Sequence, residues 1–401
     1  MLYRAFIVTP SFQLSYGGGV RVAIYMAWTL LKHGFKVHLV ALNGLDINRL
    51  TRLYGANLIK FFREGCLILN YAVKLENKEL RIPISLAVKL LSLYLSRLVR
   101  KYLPDFIIFH DDVPRIDDRI FKYVSKSVLY AHFPYIVRSY FNVIDPVEIG
   151  LEKLQGYRTR INYGIAKKLF YFEDIPREIE LVANSTVTKT FLEIMLRRRA
   201  KIIHPPITLR PKAEIKSKSN SIVVVGGQPN KRIGDVLRAL AELKSTRRRV
   251  PKLYIVSHSF VSWYKEWLLN LVYKYELQRY VYFMESVTDN ELADIYALAK
   301  IVLSAAHFEP FGMSVAEGML FRAIPIVYKG VLSGPWIDVV DRGKYGIGFR
   351  SIAELTEAID YVLSIEKKEL TELQEKALIG ASRLLLDRFE ENLLRLIGDV
   401  L

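Results

Sequence analysis

The chain has 401 residues, 51% hydrophobic, 25% charged and 12% aromatic, enough to fill two or three domain cores and unlike extended disorder, collagen or low-complexity sequence. A formal net charge of +17 draws anions, so nucleic acid, an anionic membrane surface and phosphorylated small molecules all fit, as does plain solubility. A single cysteine, Cys66, excludes an intramolecular disulfide and suits a reducing compartment; its Glu64-Gly65-Cys66-Leu67-Ile68 setting reads as a packed strand.

Ala5–Val8 is a short strand-like run followed by Thr9-Pro10, without the long apolar stretch of a signal peptide. No run reaches the roughly 18 apolar residues of a membrane span; Ile82–Val99 comes nearest but carries Lys89 and Arg97. After a glycine-rich loop, Val20, Ala23, Ile24, Ala27, Leu30 and Leu31 recur at helical spacing, and Gly34 stops that helix. The next strand is Lys36–Leu42, completing a strand–helix–strand unit of the parallel-sheet kind. Phe106–Phe109, Val128–Ala131 and Leu181–Ala183 are further strands, with helical stretches such as Leu151–Phe172 between them. The pattern breaks at His204-Pro205-Pro206, and the polar, basic Arg210–Asn220 reads as an interdomain linker.

A second alternation follows. It predicts strands at Ile222–Val225, Leu253–Ser257, Val281–Met284, Ile301–Ser304 and Ile324–Val327, and helices at Ile233–Lys244, Trp263–Tyr275, Asn290–Ala299 and from Met313. Thr288 with Glu291, and Ser351 with Glu354, have capping-box spacing. From Lys368 the chain is a long amphipathic helical region. The division is 1–207, 208–380 and a returning helix at 381–401. Two successive doubly wound α/β halves enclose a cleft, and ligands of such sheets sit beyond the carboxyl ends of the strands.

Chemistry is therefore sought in loops that follow strands. Gly17-Gly18-Gly19 lies between a strand and a helix, where glycines let backbone amides approach a phosphate or sugar; a flexible turn fits as well. His132, in Tyr130-Ala131-His132-Phe133-Pro134, ends a strand and faces the cleft or serves structure. Lys231-Arg232 puts two cations at a helix entry, which suits a diphosphate or a solvated turn. His110-Asp111-Asp112 has metal-ligand chemistry but also reads as a solvated loop. The densest segment is His307–Met319. It follows a strand and opens a helix, with Glu309 on the loop, Glu317 in the helix, and Phe311, Gly312 and Met313 at the turn that presents free amides. Carboxylates accept hydrogen bonds from sugar hydroxyls, and amides take phosphate. Zinc, P-loop and nucleophile-elbow patterns are absent from the sequence.

In their order along the chain these residues resemble the family 4 glycosyltransferases of the GT-B fold. Glu309 and Glu317 match that family's pair of glutamates seven residues apart, and Gly18-Gly19-Val20-Arg21-Val22 its glycine-rich loop and helix. Tyr130–Pro134, Asn184-Ser185-Thr186, Pro205-Pro206 and Ser333-Gly334-Pro335-Trp336-Ile337-Asp338 are similar to segments of the mannosyltransferases of dolichol-linked oligosaccharide assembly. The resemblance implies two Rossmann-like domains and a retaining, metal-independent transferase with no cofactor. Glu317 then binds the donor ribose, while Glu309 contacts the donor sugar and supports positive charge at the anomeric carbon. Lys231 with Arg232 neutralises the leaving diphosphate. His132 contacts the sugar or reacting centre, and Gly18 and Gly19 admit donor and acceptor. Gln228 stands where the family usually has an arginine.

The implied donor is GDP-mannose, with UDP-sugars open, and the implied acceptor a glycan or lipid-linked molecule. A lipid-linked acceptor places the protein in the cytoplasm, peripheral on an anionic membrane face: Arg97, Arg100, Lys101, Arg158, Arg160, Lys167 and Lys168 lie among Tyr, Phe and Leu. A soluble enzyme making a storage or compatible-solute sugar shares the same donor site. A basic nucleic-acid-binding protein on an inactive scaffold rests on charge alone, since no nucleic-acid motif is present. Scarce glutamine and plentiful charge suit a thermophile.

Overall fold

A computed structural model describes residues 3–9, 18–41, 66–70, 74–75, 78–79, 84–132, 171, 174–211, 217–246 and 248–398. Gly17, Phe133, Pro134, and Arg158, Arg160, Lys167 and Lys168 of the expected 151–172 helical stretch (Tyr171 apart) lie outside the described residues.

The first half contains β1 (Arg4–Thr9), α1 (Gly18–Lys32), β2 (Lys36–Ala41), β3 (Cys66–Asn70) and the short antiparallel pair β4 (Lys74–Leu75) and β5 (Lys78–Glu79). It continues with α2 (Ile84–Tyr102), β6 (Phe106–His110), β7 (Lys126–Ala131), β8 (Ile179–Ala183), α3 (Thr186–Leu196) and β9 (Lys201–Ile202). The second half contains β10 (Ser219–Val225), α4 (Ile233–Ser245), β11 (Lys252–Ser257), α5 (Ser262–Lys274), β12 (Val281–Glu285), α6 (Asp289–Leu298) and β13 (Ala299–Ser304). Then come α7 (Met313–Leu320), β14 (Ile324–Tyr328), β15 (Ile347–Phe349), α8 (Ile352–Ser364), α9 (Lys367–Ser382) and α10 (Leu386–Ile397).

The strands form two parallel sheets, in the orders β3-β2-β1-β6-β7-β8-β9 and β12-β11-β10-β13-β14-β15. The central strands read as continuous apolar runs because helices cover both of their faces: Ala5–Val8 and Phe106–Phe109 are fully buried, as are Ile222–Val224. In each sheet the order reverses between the first strand and the strand that returns beside it, between β1 and β6 and between β10 and β13. Those are the two places where the carboxyl ends of the strands leave a crevice.

The chain changes sheets between Ile202 and Ser219. Within that crossing, the Ile207 amide donates to the Leu384 carbonyl at 3.0 Å. The helical region after Lys368, divided in the sequence at 380/381, is two helices that break at Arg383–Leu385. The reason is that their apolar faces serve different cores. α9 buries Ala377 and Ala381 with α7 of the second sheet, while α10 buries Phe389, Leu393 and Leu396 with α1 and the first sheet. Of the two expected capping boxes, Thr288 and Glu291 exchange both bonds. Ser351 caps Glu354, but the Glu354 carboxylate accepts from the Arg350 amide, so that box is half made.

Candidate functional site

The residues with chemistry cluster beyond the two switch points. In the first sheet, Gly18 and Gly19 begin α1 just after β1, His110 ends β6, His132 follows β7, and Asn184 and Ser185 follow β8. In the second, Lys231 follows β10 and Glu309 follows β13. The helix N-termini of the two halves meet: a Cβ at Gly18 would lie 2.7 Å from the Met313 sulfur, so a larger residue there would have to displace the Met313 side chain. Amides at such helix starts are unpaired within their own helix and favour negative charge.

The loop before α7 is held from behind. Gly312 caps the helix at φ 93°, a backbone state that favours glycine, and its missing Cβ leaves room for Pro335. The Glu309 amide donates to the Leu332 carbonyl at 3.2 Å, and the Glu309 carbonyl accepts from Gly334 at 2.7 Å. A Cβ at Gly334 would fall 1.9 Å from the Pro310 carbonyl oxygen, so Ser333-Gly334-Pro335 can brace the loop only with glycine at its centre. The Phe311 side chain is buried and stacks on His204, with ring centroids 5.2 Å apart. His307 stacks on Tyr328.

Glu309 is ion-paired with Lys231. Lys231 reaches it by folding over Gly226, whose φ of +132° and absent side chain make the space. Arg232 turns the other way. Its backbone is left-handed (φ 51°), and its guanidinium binds Asp235 at 2.8 Å on its own helix, where Arg238 binds the same carboxylate. Of the two adjacent cations, the structure thus brings Lys231 to Glu309 and sets Arg232 on α4. Gln228 is exposed on the same turn.

Glu317, on the second turn of α7, is 4% exposed and has partners on both oxygens. Arg21 of α1 crosses from the first half and donates to Glu317 at 2.5 Å and to Asp289 at 2.6 Å. The Tyr296 hydroxyl donates to the other Glu317 oxygen at 3.2 Å. Burial raises the pKa of both acids despite the opposing Arg21 charge, and burial lifts the Tyr296 phenol well above its ordinary value. Arg21 stands inside the glycine-rich segment that the family resemblance singled out, but its partners are 268 and 296 residues away, which no local pattern reveals.

His132 is fixed on several sides. Its backbone N–H donates to Asp111 at 3.1 Å, and its carbonyl accepts from the Thr188 hydroxyl at 2.9 Å. One ring nitrogen, Nε2, lies 2.9 Å from Nε2 of His110, and Nδ1 lies 3.3 Å from the Asn184 amide nitrogen. Burial pushes the His110 pKa down to about 4. A further tie joins the halves next to this group: Asp338 accepts from the Thr186 amide at 3.0 Å and from its hydroxyl at 2.5 Å. Among the described residues no group of three or more His, Cys, Asp or Glu could hold a metal ion, and His110 and Asp111 instead serve His132.

Residues 207–378 match the family described as Glycosyl transferases group 1. Over 308 residues the chain is 23% identical to a GDP-Man:Man(3)GlcNAc(2)-PP-Dol alpha-1,2-mannosyltransferase of Dictyostelium discoideum. That match covers 69% of this chain and spans 60% of the relative's length. Among solved structures, sucrose-phosphate synthase from Thermosynechococcus elongatus superposes with a TM-score of 0.69 at 14% identity, covering 99% of each chain. The Anabaena protein HepE in complex with UDP-glucose superposes at 0.65 with 14% identity, again over 99% of each chain. Likeness at such identities concerns the fold, which is GT-B.

Proposed function

Starting from a glycosyl transferases group 1 domain at residues 207–378 within a GT-B fold, we propose that this chain is a retaining hexosyltransferase. It moves mannose from GDP-mannose to a glycan or lipid-linked acceptor. One observation carries the reading: Glu309 and Glu317 flank the N-terminus of α7, each with a cation against it, where the switch points of the two sheets face each other.

In this reading the diphosphate lies against the free amides around Gly312 and Met313, and Lys231 takes up the negative charge that grows on the leaving group. Lys231 rests on Glu309 until then, so its position is set before the donor arrives. Glu309 supports the positive charge that develops at the anomeric carbon. Glu317, buried with Arg21 on one oxygen and Tyr296 on the other, accepts hydrogen bonds from the ribose hydroxyls through its remaining lone pairs. Arg232, bound to Asp235, has no direct part. The mannose preference is supported by the 23% identity to a mannosyltransferase.

The acceptor side is assigned to a membrane face through α2. Among the described residues no helix is long and apolar enough to cross a membrane. α2 does expose Leu93 (70%), with Lys89, Arg97, Arg100 and Lys101, and Leu103 (56%) follows it. Leucines among cations suit an anionic headgroup layer, at about 1 kcal/mol per charge near the surface.

The test is a thermal-shift panel of GDP-mannose, UDP-glucose and other nucleotide sugars. A donor at about 100 times its dissociation constant stabilises by roughly 2.7 kcal/mol. Proton NMR of the first-formed product then reads the anomeric configuration. The proposal fails if no nucleotide sugar shifts the melting point, and the retaining assignment fails if the product is inverted.

A further inference from the structure

We propose that His110 is a positioning residue for the sugar-transfer site, holding the imidazole of His132 by a nitrogen-to-nitrogen hydrogen bond that carries a single proton. The inference rests on the transferase reading above in one respect: that His132 contacts the donor sugar or the reacting centre, as the family resemblance implies.

Geometry sets the proton count. The two Nε2 atoms are 2.9 Å apart. At that distance two lone pairs repel and two N–H groups collide, so one proton lies between them. His110 is poorly placed to take a second. Its ring is buried, stacked 6.2 Å from the Tyr130 ring at an interplanar angle of 10°, and its Nδ1 is a buried atom with no hydrogen-bond partner. Desolvation holds it neutral at pH 7 in spite of the neighbouring Asp111 carboxylate. A Cβ at Gly19 would lie 3.7 Å from His110 Cε1, so the start of α1 closes over the ring.

The opposite side of His132 is held by Asn184, whose amide can present either end. If the amide N–H donates to Nδ1, then His132 donates from Nε2 and His110 accepts. If the amide is turned, His132 donates from Nδ1 to its oxygen and His110 donates to His132. The Asn184 oxygen, like His110 Nδ1, is buried without a partner. Each direction therefore leaves one buried donor and one buried acceptor unpaired, and this count does not separate the two. In either direction the tautomer of His132 is locked to the end of the amide that Asn184 presents, so the ring is held in place and in one tautomer.

Such a pair suits a centre that becomes positive. An imidazolium beside a developing oxocarbenium ion would oppose it. A neutral imidazole whose two nitrogens are taken by His110 and Asn184 presents an uncharged ring there and adds no positive charge.

The experiment uses histidine-selective ¹⁵N labelling of the full chain. Two-bond ¹H–¹⁵N spectra are recorded from pH 5 to 8 for the wild type, His110→Phe, His110→Gln and Asn184→Ala, with His132→Gln assigning the signal. The expected wild-type result is a His110 signal that stays neutral throughout and a His132 signal outside the averaged-tautomer range. In His110→Phe the His132 signal moves to ordinary tautomer averaging. Sugar transfer falls by up to about 100-fold in kcat, while donor KM and the donor-induced thermal shift stay put. His110→Gln keeps a polar group at that reach and recovers part of kcat, which also covers a failure of the phenylalanine variant to fold. A His132 signal unchanged in both His110 variants overturns the proposal, as does a His110 that titrates at its ordinary value. If no nucleotide sugar is turned over, the spectra still decide the histidine pair, and the transferase reading alone falls.

Discussion

Replacing Arg21 with methionine tests how the two halves are held. The side chain is 11% exposed and its loss strips one cation from two acids. Asp289 is 26% exposed and its share is small, in the range of surface pairs at about 0–1 kcal/mol. Glu317, at 5%, is the costly one: breaking a buried pair leaves an uncompensated charge worth about 3–5 kcal/mol. Paid within the second domain, about 3 kcal/mol would lower melting by roughly 6–12 °C. The molecule has an easier escape, because Arg21 comes from the opposite half and opening the cleft returns water to Glu317. The expected result at pH 7 is a larger radius of gyration in small-angle scattering with a melting loss below that range. The pH dependence has a definite sign. Both acids have folded pKa values raised by burial above their ordinary 4.5 and 3.8. Such a group favours the folded state at low pH, and that contribution is lost as pH rises through the folded value. Without Arg21 both values rise further, so the variant's deficit shrinks as pH falls towards the ordinary carboxylate range. An Arg21→Met protein with wild-type radius and wild-type melting at pH 7 would refute this reasoning.

Other outcomes follow from the same geometry. Glu317→Ala should abolish the donor-induced thermal shift while Glu309→Gln retains most of it and loses turnover; equal shifts in both would contradict the division of labour. Lys231→Ala should lower kcat by about 100- to 1,000-fold with a smaller change in donor KM, whereas Arg232→Ala should leave turnover near wild type and mainly cost stability through Asp235. Gly334→Ala must displace the Pro310 carbonyl, 1.9 Å from the new Cβ, so donor affinity should fall although the circular dichroism spectrum stays the same. Leu93→Glu should weaken co-sedimentation with anionic vesicles at physiological salt and leave transfer to a water-soluble acceptor intact; undiminished sedimentation would remove α2 from the membrane contact.

Much of this protein can be read from its sequence because much of it is set locally. A buried parallel strand needs a continuous apolar run and its covering helix a stripe at helical spacing. The longer strands of both sheets could therefore be read in order, though not the short edge strands β9 and β15, and with them the loops that hold Gly18, Lys231 and Glu309. Glycines at 226, 312 and 334 mark backbone that only they allow, and two of these lie beside the acids of the α7 segment. What the sequence did not disclose depends on which surfaces meet. Lys231 and Arg232 are adjacent in the chain, yet a left-handed turn at Arg232 sends one to Glu309 and the other to Asp235. The His110-Asp111-Asp112 segment read as a metal-binding pair of acids or a solvated loop, and only the pairing of β6 with β7 shows His110 beside His132. Arg21 became the partner of Glu317 only by crossing 296 residues of chain. Periodicity reports which face of an element is buried; it carries no information on which distant face covers it, and ion pairs across the cleft are decided by that choice alone.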